Sequence, residues 1–213
     1  MHIEPGYVSA AKIALVNIAA IGMLGSQSLQ LIHQPQLIVR TVLAAIFFTF
    51  FMQLYHLPVG PSELHFVGAM PIYLTLGFVP TLIGFGLGLL LQGLIFTPTD
   101  LVHLGINTLS LAVPLGLLHA SLGKRLQKLD IKTILKLDAA YYSGVTLMVG
   151  FWLAIGEVAT PLAAWATFAV SYVSLVLIEP VFTLVIVKGR PATRTAPSSA
   201  TVLNCARLKA GLA

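Results

Sequence analysis

Met1 and His2 place three nitrogens in series: the α-amine of Met1, the amide nitrogen of His2 and an imidazole nitrogen of His2. A divalent ion bound to all three closes two small rings, provided the amine is free and the amide gives up its proton. One corner of a square plane is left open. All-nitrogen square-planar geometry suits Ni(II), Cu(II) and, less strictly, Co(II). A bulky second residue should discourage removal of Met1, so the amine is expected to survive. On its own, a histidine after a start codon means little, and the rest of the chain has to supply the fourth donor. His65 is the natural choice. It closes the stretch Pro58-Val59-Gly60-Pro61-Ser62-Glu63-Leu64-His65, a turn-rich connection at a helix entrance that can fold toward the N-terminus.

A second set of polar residues falls in an apolar segment. Asp100, His103, Asn107 and Ser110 follow i, i+3, i+7 and i+10, one face of a helix. Polar groups inside a spanning segment face the bundle interior and are functional-site candidates by default. The competing reading is hydrogen bonding that only holds helices together. His103 and Asn107 are expected to stand behind the ligating imidazoles and orient them, with Asp100 and Ser62 as further members of that outer layer. His56 is a weaker candidate.

The elements that must position these residues follow from composition. Of 213 residues, 57% are hydrophobic and 9% charged, against about 25% charged in soluble domains. Apolar runs of about 20 residues, enough to span a bilayer, recur along most of the chain. The expected fold is all-α, a polytopic helical bundle in the cell membrane. The net positive charge is not a nucleic-acid footprint. Ten of the twelve basic residues lie in two clusters: Lys124, Arg125, Lys128, Lys132 and Lys136, then Lys188, Arg190, Arg194, Arg207 and Lys209. Such clusters mark cytoplasmic segments. The single cysteine, Cys205, allows neither a disulfide framework nor a thiolate metal site.

Taken in order, a first span covers Val8 to Leu24 and ends at Gly25-Ser26-Gln27-Ser28; a second covers Leu37 to Leu57. The apolar run 66–96 would be ~46 Å long as one helix, more than the hydrocarbon core. Gly77 and Pro80 offer a break, and two helices are expected, the first short. Asp100 is the expected N-cap of a fifth span running to Ser121. A basic loop 122–137 precedes spans over Asp138–Ile155 and Pro161–Val187, seven in all. Residues 1–188 form the membrane domain, and 189–213 a cytoplasmic tail whose composition predicts disorder. Parity then puts Met1 and His65 on one side, outside, with the C-terminus inside. His33 and His119 fall on the inner side and are expected to be uninvolved. Gly84 and Gly88 form a GxxxG pair suited to close helix packing within the bundle or against a partner, and Ala10 and Ala14 a similar small pair. Glu179-Pro180 is costly in a span unless the carboxylate faces protein.

These residues resemble the substrate-capture components of energy-coupling-factor transporters for cobalt and nickel, the CbiM/NikM family. The resemblance rests on Met1-His2-Ile3-x-x-Gly6, Gly60-x-Ser62-x-x-His65-x-x-Gly68, Leu90-Leu91-Gln92-Gly93-Leu94-Ile95-Phe96 and Leu104-Gly105-x-Asn107-x-x-x-x-Ala112-x-Pro114. It implies seven spans, an outward N-terminus tucked into the bundle, and Co(II) or Ni(II) held as substrate by Met1, His2 and His65. It also implies a transmembrane coupling subunit, ATP-binding cassette ATPases and a small accessory membrane protein as partners. Pro5, His103 and Asp100 depart from the family's usual residues. No Gly-x-x-x-x-Gly-Lys-Ser/Thr run is present, so energy is expected to come from elsewhere. The alternative reading is a membrane haem protein with axial ligands drawn from His56, His65, His103 or His119; a metallohydrolase lacks its motif. No enzymatic activity, permanent cofactor or nucleic-acid partner is expected.

Overall fold

A computed structural model describes residues 6–60, 62–126 and 128–189. The described residues form seven α-helices: α1 (Ala10–His33), α2 (Gln36–Leu54), α3 (Ala69–Leu76), α4 (Phe78–Ile95), α5 (Leu104–Ser121), α6 (Ile131–Ala154) and α7 (Leu162–Lys188). The expected break inside 66–96 falls at Gly77, whose φ of 99° ends α3 and starts α4. α3 has eight residues and reaches only ~12 Å, so it is a half-length helix and not a full span. Among the described residues five stretches are long and apolar enough to cross a membrane: 10–33, 36–54, 78–95, 98–125 and 162–188. α6 has the length, at 24 residues, but carries Lys132, Lys136 and Asp138.

Four expectations are corrected. The connection after α2 is not a turn-rich loop but a β-hairpin, β1 (His56–Val59) and β2 (Ser62–His65), set on the expected helical bundle. α1 does not stop at Gly25-Ser26-Gln27-Ser28. The Ser26 and Ser28 hydroxyls donate to the carbonyls of Met23 and Gly25, both at 2.8 Å, and the helix runs through them. Asp100 is not the cap of α5; it lies in a 3-10 helix, Pro98–His103, and His103 holds the N-cap position. α6 begins inside the expected basic loop, because Asp130 caps it by accepting from the Thr133 N–H at 2.8 Å.

Close packing fixes the helix directions. A Cβ on Gly84 would stand 2.5 Å from the Ala44 Cβ, and one on Gly88 2.5 Å from the Phe48 ring and 3.0 Å from the Ala45 carbonyl. The GxxxG pair is therefore spent inside the bundle, with α2 and α4 parallel. Thr49 ties the same pair, its hydroxyl reaching the Ala45 and Gly88 carbonyls at 2.9 and 3.1 Å. α6 runs antiparallel to α5, where Gly144 meets Pro114, and to α7, where Trp165 donates to the Thr146 carbonyl at 2.8 Å. Ala10 and Ala14 face outward, and the exposed Leu15, Ile18, Ile21, Val173, Leu177 and Val181 give α1 and α7 faces suited to lipid. The bundle thus has a hairpin end and an opposite end, where His33, His119, the 122–130 connection and Lys188 lie.

Two helix starts are capped from a distance. α3 and α5 have no side-chain cap of their own. The Gly105 N–H, in the first turn of α5, donates to Asn17 Oδ1 of α1 at 2.9 Å, and the Met70 N–H of α3 donates to Glu179 Oε1 of α7 at 2.9 Å. At membrane depth water cannot satisfy these orphan groups, so protein must.

Candidate metal site

His65 ends β2, the inner strand of the hairpin. The strands pair His56 with His65, Leu57 with Leu64, Pro58 with Glu63 and Val59 with Ser62. β1 is largely exposed while β2 is largely buried, so the hairpin lies flat against the bundle. The Phe66 N–H extends the pairing by donating to the Tyr55 carbonyl at 3.1 Å. His65 itself is only 3% exposed. Its Nε2 stands 2.9 Å from Glu63 Oε2, while Nδ1 is 3.4 Å from the Met52 carbonyl, too long for a good hydrogen bond. Alternation along a strand puts residues 63 and 65 on one face. A carboxylate that holds one ring nitrogen fixes the imidazole's orientation and tautomer. Glu63 escaped the sequence reading. The available signal was an acid two residues before a histidine, informative only once the segment is known to be extended.

The N-terminal segment is clipped to the same end. The Glu157 N–H donates to the Tyr7 carbonyl at 2.8 Å. Lys12 Nζ donates to the Ile155 carbonyl at 2.7 Å and to Glu157 Oε1 at 2.8 Å. Hydrogen bonds from Lys12 and Ser9, with the Lys12 charge, hold the Glu157 carboxyl below its usual range. Val8 is buried with Ala20, Ile106 and Trp152. Gly60, at the hairpin turn, lies against Ala164 in the first turn of α7. The chain leading to the N-terminus and the hairpin leading to His65 therefore flank one connection, that between α6 and α7.

The other expected site residues separate into groups. Ser62 starts β2 and is buried; His103 and Asn107 are buried at the start of α5; Asp100 is half-buried. The Asn107 side-chain oxygen has no hydrogen-bond partner among the described residues. Ser110 is accounted for by packing alone: Trp152 Nε1–H donates to its hydroxyl at 2.9 Å, and the hydroxyl donates to the Ile106 carbonyl at 2.8 Å. His119 lies at the opposite end, bonded to the Tyr73 hydroxyl at 2.9 Å and stacked on Phe78 with ring centres 4.1 Å apart. Met1 and His2 lie outside the described residues, as does the tail from 190 onward. Among the described residues no three His, Cys, Asp or Glu side chains are grouped to hold a metal ion, and His65 is the one expected ligand they include.

Two solved structures share this architecture. A crystal structure of a transition metal transporter superposes with a TM-score of 0.70 at 22% identity, covering 88% of this chain and 91% of that one. A truncated transition metal transporter gives 0.68 at 21% identity, covering 88% and 97%. Both are similar in fold. No curated protein matches the chain. The sequence matches the CbiM family, described as the cobalt uptake substrate-specific transmembrane region, over residues 2–193. That match takes in the hairpin, the clip and all seven helices, and this multi-pass membrane protein belongs to the CbiM family.

Proposed function

We propose that this chain is the substrate-specific membrane subunit of an uptake transporter for Co(II) or Ni(II). The Met1 amine, the His2 amide and imidazole nitrogens, and a ring nitrogen of His65 would hold the ion as substrate. The observation that carries the reading is a buried histidine on the inner strand of a hairpin, at the end of the bundle to which residues 7–12 are clipped. Family membership supports the same assignment. With Nε2 held by Glu63, the ion would take Nδ1. His103, Asn107, Asp100 and Ser62 form the polar surroundings in this reading. The basic residues gathered at the opposite end support a reading with the hairpin end outside. The chain lacks a nucleotide-binding loop, so a coupling subunit, a pair of ATP-binding cassette ATPases and a small accessory membrane protein would supply the energy.

The haem reading is weakened by placement. Of the two hairpin histidines, His56 is exposed on the outer strand, and His65 already has Nε2 held by Glu63 at 2.9 Å. His119 is held at the opposite end. The test is metal content and Ni(II) and Co(II) calorimetry on purified protein, with His65→Ala beside it. A protein that binds neither ion, or His65→Ala binding with native affinity, removes this assignment.

A further inference from the structure

Glu179 is fully buried on α7, and no part of the metal chemistry above uses it. Donors converge on its carboxyl: the Met70 N–H on Oε1 at 2.9 Å, the Ala69 N–H beside it, and the Tyr142 hydroxyl, from α6, on Oε2. Asp138, also buried on α6, faces the same group. Met70 is the second residue of α3, whose N-cap position is Gly68. A glycine has no side chain to accept from the first-turn N–H groups, and the positive end of a helix favours an acidic partner. The acidic cap of this helix therefore arrives from a helix more than a hundred residues later.

The position of that cap matters because of what precedes it. Four residues, Phe66 to Ala69, separate His65 from Met70, and all of them are buried. Phe66 is wedged edge-on between the rings of Phe51 and Phe182, at centre distances of 5.5 and 5.8 Å. Gly68 has φ 62°, and the Phe51 ring fills the space where a Cβ would stand, 2.2 Å away. The segment is pinned upstream by the hairpin and downstream by Glu179. Five steps of chain reach at most ~17 Å, so the point at which α3 is held limits where His65 can lie.

Resting on the metal-capture reading, we propose that Glu179 is a positioning residue for the metal: its hold on the first turn of α3 sets the depth and register of His65. Tyr142 fixes the carboxylate in turn and ties α6 into the same arrangement. The residue touches no ligand and acts only through the 66–70 segment.

The test is a double-mutant cycle read by Ni(II) calorimetry on purified full-length protein. Glu179→Asp keeps a carboxyl group but withdraws it by one methylene from Met70, and affinity should fall about tenfold. Glu179→Gln keeps an acceptor oxygen for the Met70 N–H and turns its amide N–H toward the Tyr142 oxygen, which can accept as well as donate, so it should retain near-native affinity. In a His65→Ala background, Glu179→Asp should cost nothing further, because its effect passes through His65. A merely structural role predicts the same loss in both backgrounds. Native affinity in Glu179→Asp, or an equal loss with and without His65, overturns the proposal. Should Glu179→Asp not give monodisperse protein, Tyr142→Phe removes a single donor; a smaller loss of the same His65-dependent kind supports the proposal, and unchanged affinity overturns it. Failure of the wild type to bind Ni(II), or native binding by His65→Ala, instead refutes metal capture at His65.

Discussion

Removing the Glu63 carboxylate should weaken metal binding, and the sign of the effect identifies the ligating nitrogen. Glu63 Oε2 lies 2.9 Å from His65 Nε2, and the Glu63 side chain is 37% exposed. If the ion takes Nδ1, the carboxylate holds the ring in the correct tautomer and increases its basicity. Outer partners of ligating histidines are worth about 10–100-fold in affinity. Partial exposure places Glu63 at the low end, so Glu63→Ala should raise Kd about tenfold, or about 1.4 kcal/mol. Glu63→Gln keeps an acceptor for Nε2–H and loses only the charge, and it should fall between wild type and Ala. If the ion instead takes Nε2, Glu63 competes with it, and both variants should bind more tightly than wild type. Ni(II) calorimetry on detergent-purified protein, with circular dichroism to confirm helicity, separates these outcomes. Unchanged or increased affinity in Glu63→Ala refutes the orientation argued here.

Ni(II) binding should strengthen as pH rises from about 5 to 8, since an imidazole near 6.5 and an amine near 8 must lose protons to ligate; titration at fixed ionic strength checks it. The Glu157 clip works at lower pH. Its carboxyl is held below the usual range, chiefly by Lys12, so its stabilisation is present above the unfolded value and lost as pH falls through the folded one. Loss of protease resistance near residues 7–12 should therefore appear only below the ordinary glutamate range. Ser110→Ala leaves the Trp152 N–H without its partner and should cost about 0.6 kcal/mol, typical of hydrogen bonds between membrane helices, with Ni(II) affinity unchanged. Gly68→Ala should cost about 1–2 kcal/mol from its left-handed backbone alone, with displacement of Phe51 added, as read by thermal unfolding in detergent. A long tag before Met1 converts its amine to an amide and should abolish tight Ni(II) binding; native affinity in the tagged protein removes Met1 from the ligand set.

What the sequence made legible and what it hid divide along the range of the forces involved. Gly77 was readable because a 31-residue apolar run cannot fit the bilayer as one helix and glycine is its weakest point. The pair Gly84 and Gly88 was readable as close packing, though only the fold shows α2 as the occupant. The hairpin was hidden because Pro58, Gly60 and Pro61 resemble loop punctuation, while its strands are four residues each. The continuation of α1 past Gly25 was hidden because serines that weaken a helix in water can bond back onto it in a dry setting. Asp100 had the right residue type for a cap, but the chain spent it in a 3-10 turn and capped α5 with Asn17. Both distant caps, Asn17 and Glu179, depend on contacts between helices far apart in sequence, and no local pattern records them.

These caps explain how a loop histidine can be buried in a membrane bundle at all. Non-helical backbone at membrane depth survives only where protein satisfies every N–H and C=O. Along β1 and β2 the backbone groups that face the partner strand pair across the hairpin, and the Tyr55 carbonyl takes the Phe66 N–H. The next exposure is the first turn of α3, which a half-length helix starting inside the bundle cannot present to water. Glu179 closes that gap from α7. A residue of ordinary helix-forming type on α3 would not serve, because the N-cap must be glycine: its φ of 62° and the Phe51 ring leave no room for a side chain. The backbone reversal that buries His65 therefore requires an acceptor from another helix, and an acidic residue in the middle of a spanning segment follows from the same constraint.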